Sequence, residues 1–199
     1  RVVIHVSYNT AEVDPVYFPQ IEVIGDIANA IWQMKEAITP REDWDAGCML
    51  RYREAELEHS DALMEDRRFP IFPPFLVAAI RRAMPREGVI CLDNGVYKLW
   101  FARNYMAHLP NTILLDNALA SMGAGLPSAI ATALVHPQRK VLAVCGDGGF
   151  MFASNELSTA VRHGINLVTI VFNNDAFGNV KKNQTMDFGG GLIAWGLGN

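Results

Sequence analysis

The sequence has 199 residues, of which 50% are hydrophobic and 19% charged, and its formal net charge is −4. The length allows one full domain plus part of another. The sequence lacks the concentrated basic patch that a nucleic-acid surface requires. Its longest apolar runs, such as 141–145 and 167–172, fall far short of the roughly 18 residues that a membrane-spanning helix needs. We therefore expect neither a nucleic-acid nor a membrane partner.

Three cysteines, Cys48, Cys91 and Cys145, are widely spaced and include no CxxC pair. This odd number of distant cysteines argues against a disulfide framework and against a zinc site. Free thiols are typical of a reducing compartment, so we expect a cytoplasmic protein.

The first 39 residues have the pattern of the end of an α/β domain. Residues Arg1–Val6 are predicted to form a buried strand, and Ile21–Ile24 a second strand. Gly25-Asp26 then precedes a helix, whose apolar residues recur at helical spacing. These residues are Ile27, Ala30, Ile31, Met34 and Ile38. Two strands and one helix are too few to bury a core alone, so we interpret 1–39 as the C-terminal remnant of a preceding domain.

A charged stretch follows this remnant. Pro40 interrupts the helical pattern, and 40–68 is predicted to be a partly helical connector with a solvated face. The proline-rich run Phe69–Pro74 then marks the start of another domain, 69–199.

From residue 69 onward, predicted helices and strands alternate. The helices are 75–84, 96–105, 127–134 and 155–163, and the strands are 89–92, 112–115, 141–145 and 167–172. This order is typical of a parallel sheet covered by helices. We therefore predict an α/β fold with a doubly wound parallel sheet. Its glycine-rich end, 189–199, is predicted to be loose and incomplete.

Two short polar motifs follow directly on two of these strands. Gly146-Asp147-Gly148-Gly149 comes after one strand, and Asn173-Asn174-Asp175 comes after the next. Only one helix, 155–163, is predicted between them, as in a single βαβ unit. Both motifs would then lie at the carboxyl ends of nearby parallel strands, where open α/β sheets bind their ligands.

The residue types in these motifs fit a diphosphate that is held through Mg²⁺. This ion prefers six oxygen ligands and commonly takes one or two from the protein. Asp147 offers a carboxylate, Asn174 an amide oxygen, and the turn after it a backbone carbonyl, which we assign to Ala176. The glycines that flank Asp147 let the backbone approach a phosphate closely. Each motif alone is an ordinary turn, but their spacing and their positions at strand ends favour a binding site.

A dinucleotide-binding fold is a competing interpretation, because Gly123-Ala124-Gly125 is followed by an acidic residue, Asp147, at the end of a later strand. The dinucleotide fingerprint requires a strand that leads directly into the first glycine, and it requires a third glycine. Here 116–122 separates the strand from Gly123, and Ser128 stands at the third position. Both departures argue against this interpretation.

Several stretches together resemble a known enzyme family. They are DNG at 93–95, SMGAGLP at 121–127, GDGGF at 146–150, NELSTAVRHG at 155–164 and VFNNDAFG at 171–178. They are similar to the signatures of thiamine-diphosphate-dependent enzymes of the acetolactate synthase, pyruvate oxidase and pyruvate decarboxylase group. Details of the sequence lean toward acetolactate synthases. The resemblance implies a thiamine-diphosphate-binding fold for 69–199 and places 1–39 at the end of the family's middle domain.

The resemblance also implies roles for individual residues. Asp147, Asn174 and the Ala176 carbonyl would ligate Mg²⁺. The Ala120 carbonyl would accept a hydrogen bond from the cofactor's aminopyrimidine, and Met122 would have the catalytic role of a wedge that holds the cofactor bent. The implied cofactor-binding residues are Gly95, Val96, Tyr97, Ala120, Met122, Gly146, Asp147, Gly148, Gly149, Asn174, Ala176, Phe177 and Gly178.

The implied activity is that of a lyase or transferase. It is the thiamine-diphosphate- and Mg²⁺-dependent decarboxylation of a 2-oxo acid with carboligation. Simple decarboxylation or oxidation is an alternative within the family, and an inert cofactor-binding fragment is an alternative of another class. FAD use stays open, because most of the middle domain lies outside this sequence.

The family's activating glutamate belongs to a pyrimidine-binding domain, and no glutamate here can be assigned that role. We therefore expect that domain of a partner subunit to complete the site, in a homodimer or homotetramer. We expect the chain to be inactive when it is alone.

Overall fold

A computed structural model describes residues 2–11, 18–41 and 43–198. It divides into two compact units, Arg1–Arg51 and Tyr52–Asn199, and the predicted domain boundaries at 40 and 69 stay predictions. Within the described ranges, no helix combines the length and the apolar character that crossing a membrane requires.

The first unit contains a small parallel sheet and a helix. β1 (Ile4–Ser7) pairs in parallel with β2 (Ile21–Ile24). α1 (Ile27–Ala37) begins after Asp26, whose side chain accepts a hydrogen bond from a backbone N–H in the first turn. The predicted burial of the first strand is wrong, because Ile4 is 54% exposed and one helix cannot cover both faces of a sheet. Arg1, which was predicted to begin this strand, lies outside the described residues.

Two helices precede the larger sheet. α2 (Ala46–Met64) is a continuous helix of 19 residues and accounts for most of the predicted connector. α3 (Pro73–Ala83) begins with two prolines, which are tolerated because the first N–H groups of a helix have no partner within it.

The second unit is built on a four-stranded parallel sheet. Its strands are β3 (Val89–Leu92), β4 (Ile113–Leu115), β5 (Val141–Gly146) and β6 (Val168–Phe172). They lie in the order β4-β3-β5-β6, and each neighbouring pair is parallel. All four match predicted strands within one residue at each end.

The remaining helices are α4 (Lys98–Asn104), α5 (Gly125–Val135), α6 (Asp147–Ala153), α7 (Glu156–Arg162) and α8 (Gly178–Asp187). Two of them depart from prediction. Between β5 and β6 the chain forms two helices where one was predicted, and α8 was not predicted at all. Gly148 and Gly149 disfavour a helix in isolation, but α6 buries both of them, so tertiary packing overrides the local propensity.

Helices cover both faces of this sheet, which confirms the doubly wound fold. Successive residues of a strand point to opposite faces, and those of β3 and β5 divide between two hydrophobic clusters. Val89, Cys91, Val141 and Ala143 pack with residues of α5, whereas Ile90, Leu92, Leu142 and Val144 pack with residues of α3 and α4.

The strand order creates a topological switch point between β3 and β5. From β3 the chain moves to β4 on one side of the sheet, and it then returns to form β5 on the other side of β3. Connections leave such a pair of strands in opposite directions, which opens a crevice at their carboxyl ends. The turns that follow β3 and β5 border this crevice.

Candidate functional site

The predicted site residues lie at the carboxyl ends of all four strands of the larger sheet, in turns or in the first residues of the helices that follow. Gly95, Val96 and Tyr97 follow β3, Ala120 and Met122 lie between β4 and α5, Gly146, Asp147, Gly148 and Gly149 join β5 to α6, and Asn174, Ala176, Phe177 and Gly178 follow β6. The structure therefore brings together residues that are spread over more than eighty positions of the sequence.

Asp147 connects the end of β5 to the turn after β6. Its side chain is buried, and its Oδ2 atom accepts backbone hydrogen bonds from Asn174 at 3.1 Å and from Asp175 at 2.7 Å. Its Oδ1 atom accepts one from Gly148 at 2.9 Å. Because β5 and β6 are paired neighbours, the predicted proximity of the two polar motifs is confirmed.

Glycines leave room where these turns meet. A Cβ atom at Gly148 would lie 2.6 Å from Cε1 of Phe177 and 3.4 Å from Cε of Met122. A Cβ atom at Gly178 would lie 3.1 Å from Nδ2 of Asn174. Larger residues at 148 and 178 would therefore crowd the neighbouring side chains of Phe177, Met122 and Asn174.

Asp93 is a central residue that the sequence analysis did not select. It is fully buried, and both of its carboxylate oxygens lie 2.9 Å from the backbone nitrogen of Gly123. Oδ1 also accepts a hydrogen bond from the backbone of Asn94 at 2.8 Å. A side chain at Gly149 would collide with this carboxylate. Asp93 follows directly on β3, and the argument that selected Asp147 at the end of β5 could also have found it.

Asn94 and Lys98 were also missed. The Asn94 side chain donates hydrogen bonds to the carbonyls of Asp116 and Ser121, both at 2.9 Å. Its Oδ1 accepts a hydrogen bond from Lys98 Nζ at 2.7 Å, and Lys98 also donates to Asn117 at 3.2 Å. These residues link α4 and the end of β3 to the loop that carries Ala120.

The Tyr97 side chain packs into the core rather than into the crevice. Its ring stacks on Phe172 with centroids 5.3 Å apart, and only 8% of the residue is exposed. Burial, and then the negative charge of Asp93, raise the pKa of the Tyr97 hydroxyl well above its usual range. The contact of Tyr97 with a diphosphate stays a prediction, and this packing favours its backbone over its ring for that contact.

Backbone strain is concentrated beside the site. Ala120 and Asp175 adopt left-handed conformations, with φ of 52° and 56°, which non-glycine residues rarely do. Such strain persists only where surrounding contacts hold it, and it often accompanies binding sites. The two residues lie in the turns that would provide the Ala120 and Ala176 carbonyls.

The fold and this edge together define a class of protein. A doubly wound sheet with glycine-rich connections at its switch point is typical of an α/β domain that binds a small ligand in that crevice. Residues 93–194, about half of the chain, match the family described as "Thiamine pyrophosphate enzyme, C-terminal TPP binding domain". The chain belongs to this family, and thiamine pyrophosphate is another name for thiamine diphosphate.

Several relatives are acetolactate synthases. The chain is 34% identical over 203 residues to acetolactate synthase of Bacillus subtilis (strain 168), which covers 95% of this chain and 35% of that protein. It is 31% identical over 184 residues to the catabolic acetolactate synthase of Raoultella terrigena, covering 89% and 32%. It is 29% identical over 194 residues to acetolactate synthase isozyme 1 large subunit of Escherichia coli (strain K12), covering 96% and 34%. The chain thus spans about a third of the length of these relatives.

Proposed function

We propose that this protein is a thiamine-diphosphate- and Mg²⁺-dependent enzyme that decarboxylates a 2-oxo acid and transfers the remaining two-carbon unit to a second 2-oxo acid. In this proposal the chain supplies the half of the site that holds the diphosphate and the metal. A pyrimidine-binding domain of a partner subunit supplies the other half. Similarity to acetolactate synthases over most of the chain supports this reaction class.

The single observation that carries the proposal is the connection that Asp147 makes between β5 and β6. Its hydrogen bonds to Asn174 and Asp175 hold the two motifs side by side. We assign the Asp147 carboxylate, the Asn174 side-chain oxygen and the Ala176 carbonyl as ligands of Mg²⁺. A set of oxygen donors with a single carboxylate fits this ion, which usually shares its coordination with phosphate oxygens and water.

The charges at this edge also favour a metal. Asp93 and Asp147 are both buried, at 0% and 6% exposure, and two carboxylates beside a diphosphate would repel it. A divalent cation bound by Asp147 offsets that repulsion.

Residues of the loop before α5 hold the other half of the cofactor. Met122 is 39% exposed, and its Cε atom lies near Gly148, which supports its assignment as the wedge that would hold the cofactor bent. The Ala120 carbonyl would accept a hydrogen bond from the aminopyrimidine. Bound thiamine diphosphate supplies the carbanion chemistry that releases CO₂ from 2-oxo acids.

Calorimetric titration of the full-length protein with thiamine diphosphate and Mg²⁺ tests the site. Asn174→Ala is the cleanest variant, because the residue is exposed and only its backbone is tied to Asp147. We expect an affinity loss of about ten-fold or more, which corresponds to about 1.4 kcal/mol, with little change in thermal stability. Asp147→Ala should lose more affinity and some stability. Asp187→Ala, at the exposed end of α8, is the matched control. Equal affinity in all four proteins would contradict the site assignment.

Product analysis with pyruvate tests the reaction. Carboligation converts two pyruvate molecules into acetolactate and CO₂, whereas simple decarboxylation yields acetaldehyde and CO₂. We expect acetolactate. Acetaldehyde alone would assign the protein to the decarboxylase alternative. Cofactor binding without any product would favour a catalytically inert module.

A further inference from the structure

The loop between β4 and α5, residues 116–122, has little support of its own. All seven of its residues are exposed, and Leu119 is 86% exposed. Its Ala120 holds a left-handed backbone at φ 52°, a conformation that is unfavourable for any residue with a side chain. Contacts from outside the loop must therefore maintain its shape.

The Asn94 side chain provides such contacts. Its Nδ2 atom donates one hydrogen bond to the carbonyl of Asp116 and another to the carbonyl of Ser121, each at 2.9 Å. The two carbonyls lie on either side of the strained Ala120 and its exposed neighbours. Asn94 itself is only 6% exposed, so the donor of both bonds is largely removed from water. One buried amide thus joins the two ends of the loop.

Lys98 determines which way this amide points. Its ammonium group carries donors and no acceptor, so the Asn94 atom that lies 2.7 Å from Nζ must be the oxygen. The amide nitrogen is therefore directed at the two loop carbonyls. Lys98 itself is anchored by a second amide, that of Asn117, at 3.2 Å.

Asn94 acts on one half of the site only. The hydrogen bonds of its side chain reach Lys98 and the 116–122 loop. The turns at Asp147 and Asn174 are held by a separate set of bonds, which Asp147 accepts. A change in the Asn94 amide should therefore alter the loop and leave the diphosphate side intact.

We propose that Asn94 is a positioning residue that preorganises the 116–122 loop, and through it the Ala120 carbonyl, for the aminopyrimidine half of the cofactor. The inference rests on the proposed function. In this proposal Asn94 holds the loop in its binding shape, so that cofactor binding does not have to order it. Lys98 supports this role by holding the Asn94 amide in one orientation.

Asn94→Asp is the variant that tests this role. It keeps the size of the side chain and the partner Lys98, but it replaces the two N–H donors with an oxygen that faces two carbonyl oxygens. Asn94→Ser, which is smaller and neutral, is a second variant in case a carboxylate at this position prevents folding. Asn166→Asp is the control. It makes the same chemical change at an exposed residue just before β6, at the amino ends of the strands and so away from the site.

Each full-length protein is titrated with thiamine diphosphate plus Mg²⁺, and separately with inorganic diphosphate plus Mg²⁺. In both Asn94 variants we expect affinity for thiamine diphosphate to fall by about ten-fold or more, the equivalent of one to two lost hydrogen bonds. Affinity for inorganic diphosphate should stay within about two-fold of wild type in Asn94→Ser, which adds no negative charge. The Asn166 control should match wild type for both ligands.

Two results would overturn the proposal. The first is wild-type affinity for thiamine diphosphate in both Asn94 variants. The second is an equal loss for both ligands in the neutral Asn94→Ser variant, which a general structural role would produce. A wild-type protein that binds neither ligand would instead refute the proposed function. The failure of one inference is therefore distinguishable from the failure of the other.

Discussion

An added methyl group at position 149 tests how tightly the crevice between β3 and β5 is packed. The Cβ atom of an alanine there would collide with Oδ2 of Asp93 and would lie 3.6 Å from the backbone nitrogen of Gly123. The carboxylate cannot move without loss, because it accepts hydrogen bonds from Gly123 and Asn94. Behind it, Gly125 packs so closely that a Cβ atom there would lie 2.8 Å from the Asp93 nitrogen.

The expected size of the effect follows from three contributions. Overpacking a filled site costs about 1–3 kcal/mol. Loss of one hydrogen bond to a buried carboxylate costs about 1.5–3 kcal/mol. Alanine is better than glycine within helix α6 by about 1 kcal/mol. We therefore expect Gly149→Ala to lower the free energy of unfolding by roughly 2–5 kcal/mol.

Urea unfolding of the cofactor-free, full-length protein measures this loss. Amide hydrogen exchange of the peptide that contains Gly123 reports whether the Asp93 hydrogen bond is weakened. Gly196→Ala is the control, because a Cβ atom at that glycine would meet nothing within 4 Å and its φ is not positive. An unfolding transition and a Gly123 exchange rate that equal those of the control would refute the packing argument.

Three further predictions concern stability and reactivity. Ala120→Gly should raise the free energy of unfolding by about 1 kcal/mol, because glycine removes the strain of a left-handed backbone. A lower unfolding midpoint would contradict this prediction. Cys145 should resist alkylation from pH 7 to 9, because burial raises the pKa of its thiol to about 12. The partly exposed Cys48 should react under the same conditions. Equal labelling of both thiols in the native protein would show that the structure around Cys145 opens. Arg81→Met should destabilise the protein by about 2 kcal/mol. Arg81 donates hydrogen bonds to the Tyr105 hydroxyl at 2.6 Å and to the Pro85 carbonyl at 2.8 Å, and methionine removes both. An unchanged urea midpoint would contradict this prediction.

The strands of the larger sheet could be predicted from local pattern alone. Short apolar runs such as Val89–Leu92 and Val141–Gly146, bounded by polar or glycine residues, are buried on both faces of a parallel sheet. The exposure of β1 and the existence of α6 could not be predicted in this way. β1 is exposed because few residues cover it, and α6 forms because tertiary packing offsets the low helix propensity of its two glycines.

Much of the candidate site was also accessible from the sequence. Asp147 and Asn174 were selected because each motif follows a strand, and the pairing of β5 with β6 brings them together. Asp93 also follows a strand, so the same reasoning could have selected it. Its contact with Gly123 and that of Asn94 with Ser121 could not be predicted, because both depend on how the loop before α5 packs against the end of β3.

By itself, the sequence determined the α/β class, the positions of the strands in the larger sheet and the two motifs that end β5 and β6. It could do so because strand length, apolar content and turn residues are local properties of the chain. The tertiary structure decided the order β4-β3-β5-β6, and with it the crevice between β3 and β5. That order depends on which strands pair across the connections between them. Asp93 packs against Gly149 because β3 lies beside β5, and Asn94 reaches the 116–122 loop because β3 also lies beside β4.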